Sequence, residues 1–372
     1  MRELGVGLIG TGFMGKAHAL AYGAVRAVFG DVPATRLEML CDTPAARAHD
    51  MVAQFGFARA TDDWRVLVAD PAVDVVSITA PNNLHHEIAL AAARAGKHIY
   101  CEKPLALTLV QATEMQQAAA DAGVKTMVGY NYIKNPAFSH AQSLVGEGAI
   151  GDIVHFRGWV DEDYQADPDQ PWTWRARISE AGLGALGDLG CHLVSMAVAL
   201  VGPIESLIAD MQTVHKMRAL ADGSGQAPVE NEDIATALVR FSGGVQGSLS
   251  ASRVAWGRKN RLTWELHGTI GMICFDQERM NELRLYQNAG PAAQQGFKTI
   301  LTGPEHEPYA AFCPAPGHQL GVNDLKVIEL AAFLRHIGGG APSHPDFSDA
   351  LEIERVIHAI ADAALTDARV YV

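Results

Sequence analysis

Cysteine is scarce and unorganised in this chain. Cys41, Cys101, Cys191, Cys274 and Cys313 are scattered, odd in number and without a CxxC pair. That speaks against a disulfide framework and a zinc site, and favours a reducing, cytoplasmic setting. Basic charge is short as well. The 29 Lys and Arg stand against 42 Asp and Glu, a formal net charge of −13, the wrong sign for gripping nucleic acid or an anionic membrane. No run of about 18 uninterrupted apolar residues offers a membrane span. The first residues lack the basic start and continuous apolar stretch of a signal peptide. No internal repeat or low-complexity tract stands out.

What is present is apolar material for two cores. The 372 residues exceed one typical domain, and 48% of them are hydrophobic,. Early on, short apolar runs alternate with amphipathic stretches: strands are expected at 4–9, 36–41, 73–79, 97–101 and 124–129, helices at 87–95 and 109–122. Such alternation reads as a parallel sheet covered on both faces and doubly wound by right-handed crossovers. Beyond residue 130 the rhythm changes. After a helix over 186–200, strands crowd together at 204–214, 234–241, 245–254, 261–267, 271–275 and 283–286, with one more at 153–160. The expected class is α/β: an N-terminal doubly wound parallel sheet over 1–130, then a C-terminal α+β domain over 131–372 with an open, mostly antiparallel sheet. The tail reads as helical at 320–337 and 348–364. Residues 219–228 (ALADGSGQAP) read as a mobile loop, and the acidic run 230–233 as a solvated one,.

Gly10-Thr11-Gly12-Phe13-Met14-Gly15 has GxGxxG spacing between a strand-like run and a helical one. Gly10 permits the tight turn, Gly12 lets backbone approach a pyrophosphate, and Gly15 lets the helix pack on the strand. The helix start, with Phe13 and Met14 in its first turn, offers N–H groups and a positive dipole end to the phosphates. Asp42 closes the second strand and is the expected ribose ligand. Its spacing exceeds the usual ~20 residues, with 29–35 (FGDVPAT) as a longer crossover. A carboxylate there accepts from ribose hydroxyls and repels a 2′-phosphate, which favours NAD; Thr43 and Arg47 beside it keep NADP open.

The stretch 98–107 (HIYCEKPLAL) sets Glu102 and Lys103 against Pro104 at the end of an apolar strand. By itself this is either a solvated turn or an active-site lysine. Pro104 steers Lys103 away from α geometry, and ligands of open α/β sheets bind beyond the carboxyl ends of their strands. Asp188 and His192 lie four apart, hence on one face of a helix. Taken alone they read as a helix-surface hydrogen bond; no third or fourth ligand at suitable spacing supports a metal.

Three segments follow the glycine loop in order: Ala80-Pro81-Asn82-Asn83-Leu84-His85, then Gly96-Lys97-His98-Ile99-Tyr100-Cys101-Glu102-Lys103-Pro104, then Gly187-Asp188-Leu189-Gly190-Cys191-His192. With them the chain resembles the glucose–fructose oxidoreductase/inositol dehydrogenase (Gfo/Idh/MocA) family over nearly its whole length. Within it, 12–18 (GFMGKAH) and 171–175 (PWTWR) are most similar to levoglucosan-dehydrogenase-type members. The resemblance implies a Rossmann domain, a second domain whose open sheet makes a homodimer or homotetramer contact, and a cis Lys103–Pro104 bond. It also implies NAD(P)-dependent oxidation or reduction at a sugar or polyol carbon. Two features depart from the pattern. Lys134 stands near where many members carry arginine, and 161–174 is unusually acidic and tryptophan-rich, which bears on substrate choice.

In that context Lys103, Asp188 and His192 are the expected catalytic set. His192, of a residue type with an ordinary pKa near 6.5, takes the hydroxyl proton; Lys103 stabilises negative charge on the same oxygen; Asp188 positions His192 and a neighbouring hydroxyl. Glu102 orients the lysine turn beside the cofactor. Asn82 and His85 touch the nicotinamide ribose or line the pocket, with helix capping by Asn82 or Asn83 as the other reading; His86 reads as a surface residue. Tyr130, Asn131 and Lys134 are expected to line the domain cleft, with Tyr130 and Asn131 against the substrate. Trp172, Trp174 and Arg175 suit a sugar ring, and either tryptophan equally suits core or interface. Asp324 and His318 are candidates for the pocket rim. The expected activity is NAD-dependent hydride transfer at a secondary alcohol of a sugar, anhydrosugar or cyclitol. An NADPH-dependent keto-sugar reductase, transient oxidation during glycoside cleavage and a non-catalytic NAD/sugar sensor are the alternatives.

Overall fold

The structure is a computed structural model and describes residues 2–372. Its first sheet has six strands, β1 (Leu4–Ile9), β2 (Thr35–Cys41), β3 (Arg59–Thr61), β4 (Val75–Ile78), β5 (His98–Cys101) and β6 (Thr126–Val128), in the order β3-β2-β1-β4-β5-β6. Every pairing is parallel. Helices Phe13–Val28, Ala45–Phe55, Trp64–Ala69, His85–Arg94 and Leu109–Ala122 make the crossovers. All four residues of β4 are buried, as a strand covered on both faces requires. The strand order reverses between β1 and β4, and the crevice of such sheets opens at the carboxyl ends there. Gly10, Asp42 and Lys103 all stand at carboxyl ends. The edge strand β3 has three residues, none buried, too short and polar a run to register as a strand in the sequence.

The second sheet has nine strands: β7 (Ile153–Asp161), β8 (Ile204–Gln212), β11 (Ile234–Phe241), β12 (Gln246–Ser252), β13 (Arg261–Gly268), β14 (Gly271–Asp276), β15 (Glu282–Gln287), β16 (Lys298–Leu301) and β17 (Val370–Tyr371), ordered β16-β15-β14-β13-β7-β12-β11-β8-β17. Only β7 and β12 run parallel; the sheet is mostly antiparallel, as expected. Burial alternates strictly along β11, so one face packs and the other stays open. The packed face buries Phe156, Phe241, Trp264 and Phe275. The stretch Ile178–Val201 is long and apolar enough to cross a membrane by composition, but 78% of its apolar window is buried in the fold.

Two further strands, β9 (Met217–Ala219) and β10 (Gln226–Pro228), form a separate hairpin. The expectation of a mobile loop at 219–228 is thereby corrected. Trp172 closes the hairpin, donating from its backbone to Ala219 O at 2.7 Å and from Nε1 to Pro228 O at 2.9 Å. Short strands flanking Asp-Gly-Ser-Gly carry too little pattern to be seen locally.

The chain forms two compact units. One extends to Asn131 and takes back Gly321–Glu354; the other comprises Tyr132–Leu320 and Arg355–Val372. The returning helix Val322–Ile337 packs on Phe13–Val28 and buries Leu325, Leu330, Phe333 and Leu334. Beyond it, Val128 N donates to Pro345 O at 2.9 Å, and Phe347 N to Thr126 Oγ1 at 3.1 Å, so β6 is held by chain more than two hundred residues on.

Candidate active site

The glycine loop has the geometry a pyrophosphate needs. Gly10 sits at φ +101°, and a Cβ there would meet Thr79 O at 2.6 Å. A Cβ on Gly15 would meet Gly10 O at 2.2 Å, whereas one on Gly12 would meet nothing within 4 Å. The first and third glycines are therefore demanded by packing and the second faces open space. Helix Phe13–Val28 starts at Gly12 without a side-chain cap and without an acid in its first turn, which suits its N–H groups to an anion. Phe13 is exposed and Met14 half-buried. Asp42 lies beside this loop. It accepts from Thr11 N at 2.9 Å, Thr43 N at 2.7 Å and the Thr11 hydroxyl. Arg47 Nε stands 3.1 Å from Asp42 Oδ2, so this carboxylate shares its charge with a half-exposed cation. These residues fit a dinucleotide.

His85 is buried, with Nδ1 3.0 Å from Pro104 O and Nε2 3.0 Å from Ala80 O. It braces the ends of β4 and β5 against each other. Burial pushes its pKa down, and a neutral ring donates to only one of the two carbonyls at a time. Asn82 opens a 3-10 turn, and the helix after it begins at Leu84 rather than at either asparagine. His86 pairs with Glu114 at the surface, 2.6 Å apart. The Lys103–Pro104 bond is cis, and Lys103 is half-buried. The Glu102 carboxylate is turned into the interior, against His18 and Lys326. Tyr130 and Asn131 are buried. The Asn131 amide nitrogen has no hydrogen-bond partner among the described residues, an orphan donor that calls for a ligand or water.

In the second unit a five-residue π turn, Leu186–Gly190, carries Asp188 and runs into helix Cys191–Val201, whose second residue is His192. Such insertions concentrate at functional sites. Asp188 Oδ2 accepts from the Tyr164 hydroxyl at 2.8 Å and lies 3.9 Å from Arg175 Nε. The His192 ring stacks on Tyr132, centroids 4.3 Å apart, and Asn260 Nδ2 donates to the Tyr132 hydroxyl at 3.0 Å. Arg175 also lies over Trp174, 4.6 Å from its ring centre, while Arg177 covers Trp172 at 4.8 Å. Trp172 thus serves the hairpin, and Trp174 stands with the Asp188 group through Arg175. Lys134 ends a 3-10 turn, Asn131–Lys134. Asp324 accepts from Gly321 N at 2.7 Å and caps the returning helix; His318 is exposed, its carbonyl taking the Tyr309 hydroxyl. Among the described residues no group of three His, Cys, Asp or Glu could hold a metal ion.

The acidic run 230–233 overturns its expectation. Only Glu230 is exposed; Asn231, Glu232 and Asp233 are buried. Glu232 accepts from Gly184 N at 2.9 Å and Leu186 N at 2.8 Å, so it caps the turn that presents Asp188. Burial pushes its pKa up against those two hydrogen bonds. A Cβ on Gly184 would meet Glu232 O at 2.0 Å. Asp233 pairs with buried Arg253 at 2.8 Å, and Asn231 Nδ2 reaches Arg175 O at 2.9 Å. A string of charges resembles a solvated loop until its distant partners are known. Glu232 is hidden for that reason, and Tyr132, Tyr164 and Asn260 because their partners also lie far along the chain. Only Tyr164 had a local signal, the unusual segment 161–174.

Two family models cover most of the chain: the oxidoreductase family with NAD-binding Rossmann fold over residues 4–130, and the GFO/IDH/MocA C-terminal domain over residues 138–274. Levoglucosan dehydrogenase of Pseudarthrobacter phenanthrenivorans is 40% identical over 98% of this chain and 97% of its own. Inositol 2-dehydrogenase of Rhizobium meliloti is 28% identical over 96% of this chain and 95% of its own. The solved structure of a levoglucosan dehydrogenase in complex with NADH and levoglucosan superposes with a TM-score of 0.96 at 40% identity, covering 100% of both chains. From the glycine loop to the π turn of the second unit, this chain belongs to the GFO/IDH/MocA family of NAD-binding oxidoreductases.

Proposed function

We propose that the protein is an NAD-dependent dehydrogenase acting on a secondary alcohol of a sugar, with an anhydrosugar as the first candidate and a cyclitol as the second. The observation that carries this reading is the polar group on the π turn. Asp188, Tyr164 and Arg175 converge there beside His192 and Tyr132, offering a base, an acid-base partner, a cation and a flat aromatic face. A ring with CH faces and hydroxyl edges needs that mixture. The orphan donor on Asn131 adds a partner for a hydroxyl.

NAD, when bound, supplies the hydride acceptor. His192 takes the hydroxyl proton. Lys103 donates to the same oxygen and stabilises the charge that develops on it. Asp188 accepts from a neighbouring hydroxyl and holds it in register. Trp174 with Arg175 covers one face of the ring. The assay is absorbance of reduced nicotinamide with NAD or NADP over levoglucosan, myo- and scyllo-inositol, glucose, galactose, xylose and 1,5-anhydro sugars. Turnover of one class supports the reading. Silence in both directions, despite NADH binding, removes it in favour of a sensor.

The Asp42–Arg47 contact favours a second reading, use of NADPH by a keto-sugar reductase. The expected result is preference for NAD in the native protein. Asp42→Ala, which frees Arg47 for a 2′-phosphate, should narrow that preference about tenfold or more. An unchanged ratio of kcat/KM for the two cofactors would exclude Asp42 from the choice.

We also propose assembly through the open face of the second sheet. Leu238 and Ile208 are register partners there, 56% and 38% exposed, and neighbouring apolar side chains in water favour a partner. Light scattering should report a dimer or tetramer at micromolar concentration. A monomer would rule this contact out.

A further inference from the structure

Beneath Lys103 lies a charged cluster that the reaction as written does not use. Glu102, which precedes Lys103, is buried, and its Oε1 accepts from Lys326 Nζ at 2.6 Å and lies 2.8 Å from His18 Nε2. Lys326 comes from the returning helix and is completely buried. It also donates to Glu329 Oε2 at 2.9 Å, which the Tyr100 hydroxyl reaches as well. The His18 ring stacks on Tyr100 with centroids 4.1 Å apart. The Glu102 carboxylate also packs closely on Gly129, where a Cβ would meet its Oε1 at 2.5 Å.

An ammonium wedged between two carboxylates in the interior is a poor source of stability, because desolvation offsets most of the attraction. Its geometry is nevertheless tightly specified. Burial alone would push the Glu102 pKa up, but the Lys326 charge and the hydrogen bonds from His18 and Lys326 outweigh it and hold Glu102 ionised, well below the usual carboxylate range. Glu329, mainly through burial, is pushed up. Lys326 thus grips the carboxylate that is next in sequence to the lysine whose placement matters most.

We propose that Lys326 is a positioning residue for Lys103: it locks the Glu102 carboxylate, and with it the backbone from which the Lys103 side chain departs. The inference rests on the reading of Lys103 as the group that holds the reacting oxygen. Displacing such a group by about 1 Å costs on the order of 100-fold in rate.

Lys326→Met alone strands the Glu102 charge, so the main test uses the double variant Glu102→Gln/Lys326→Met, which buries no charge of that pair. With no cation left beside it, burial favours the neutral form of Glu329. In folded full-length protein, kcat with NAD and the best substrate should fall about 100-fold, while the Kd for NADH stays within about twofold. Acetic anhydride labelling of Lys103, read by peptide mass spectrometry against the exposed reference Lys259, should change at least about threefold as the turn is released. A double variant that melts earlier but keeps native kcat and native Lys103 labelling would overturn the proposal and leave Lys326 a structural residue. Labelling needs no turnover. If the native protein oxidises nothing in the panel, the dehydrogenase reading fails by itself, and the labelling ratio still decides whether Lys326 positions Lys103.

Discussion

Lys103→Ala is expected to lower kcat by about 10²–10³, the cost of removing one preorganised donor from a developing oxyanion. The ammonium stands on a half-buried turn at the carboxyl end of β5, where water screens it less than in bulk. Its stabilisation is realised mainly as the alcohol oxygen gains charge, so kcat should fall more than KM rises. NADH affinity, measured by fluorescence titration, should be nearly unchanged, because the proposed reading gives the phosphates and ribose to the glycine loop and Asp42. Lys103→Arg should recover only part of the rate: a planar guanidinium spreads its charge and cannot reproduce a compact ammonium. Native kcat in Lys103→Ala would remove the lysine from the mechanism and leave residues 102–104 a structural turn only.

The second large effect is expected at His192. His192→Ala should lower kcat by about 10²–10⁴, the range for loss of a positioned proton acceptor. The ring is buried and stacked on Tyr132, which Asn260 holds in turn. Alanine leaves a cavity facing Tyr132 and the Asp188 turn, into which a small base can diffuse. Added imidazole should therefore restore a measurable part of the rate in His192→Ala and none in Lys103→Ala. Deleting only a packing partner of Tyr132 would give no such rescue. Failure of imidazole to raise the rate, together with a loss confined to KM, would assign His192 to substrate binding and require another base.

Several of these elements were legible in the linear chain, and for local reasons. Glycines at 10, 12 and 15 encode their own turn, a proline after Lys103 encodes extended backbone, and the four-residue interval from Asp188 to His192 encodes a shared side. The helix 186–200 was legible in extent but not in kind. Its first five residues form a π turn, and Glu232, forty-odd residues on, accepts from the backbone N–H groups of Gly184 and Leu186 at its entry. The same partner made the acidic run 230–233 look solvated. Apolar periodicity says which side of an element is buried; it does not say which distant donor waits there for a carboxylate.

The sequence by itself determined the order of the longer elements, the dinucleotide loop, the family and the residue types available for proton and hydride chemistry. Those properties live in patterns a few residues long, where sterics and periodicity act without outside help. Tertiary structure decided the rest. It returned residues 321–354 to the first unit, where helix Val322–Ile337 sets Lys326 on Glu102. It surrounded Asp188 with Tyr164 and Arg175, stacked Tyr132 on His192, and set Arg47 against Asp42. Buried charges explain the difference. The Glu102 and Glu232 carboxylates each need a partner in the interior, and chain order leaves that partner, Lys326 or the Gly184–Leu186 backbone, far away until the chain folds,.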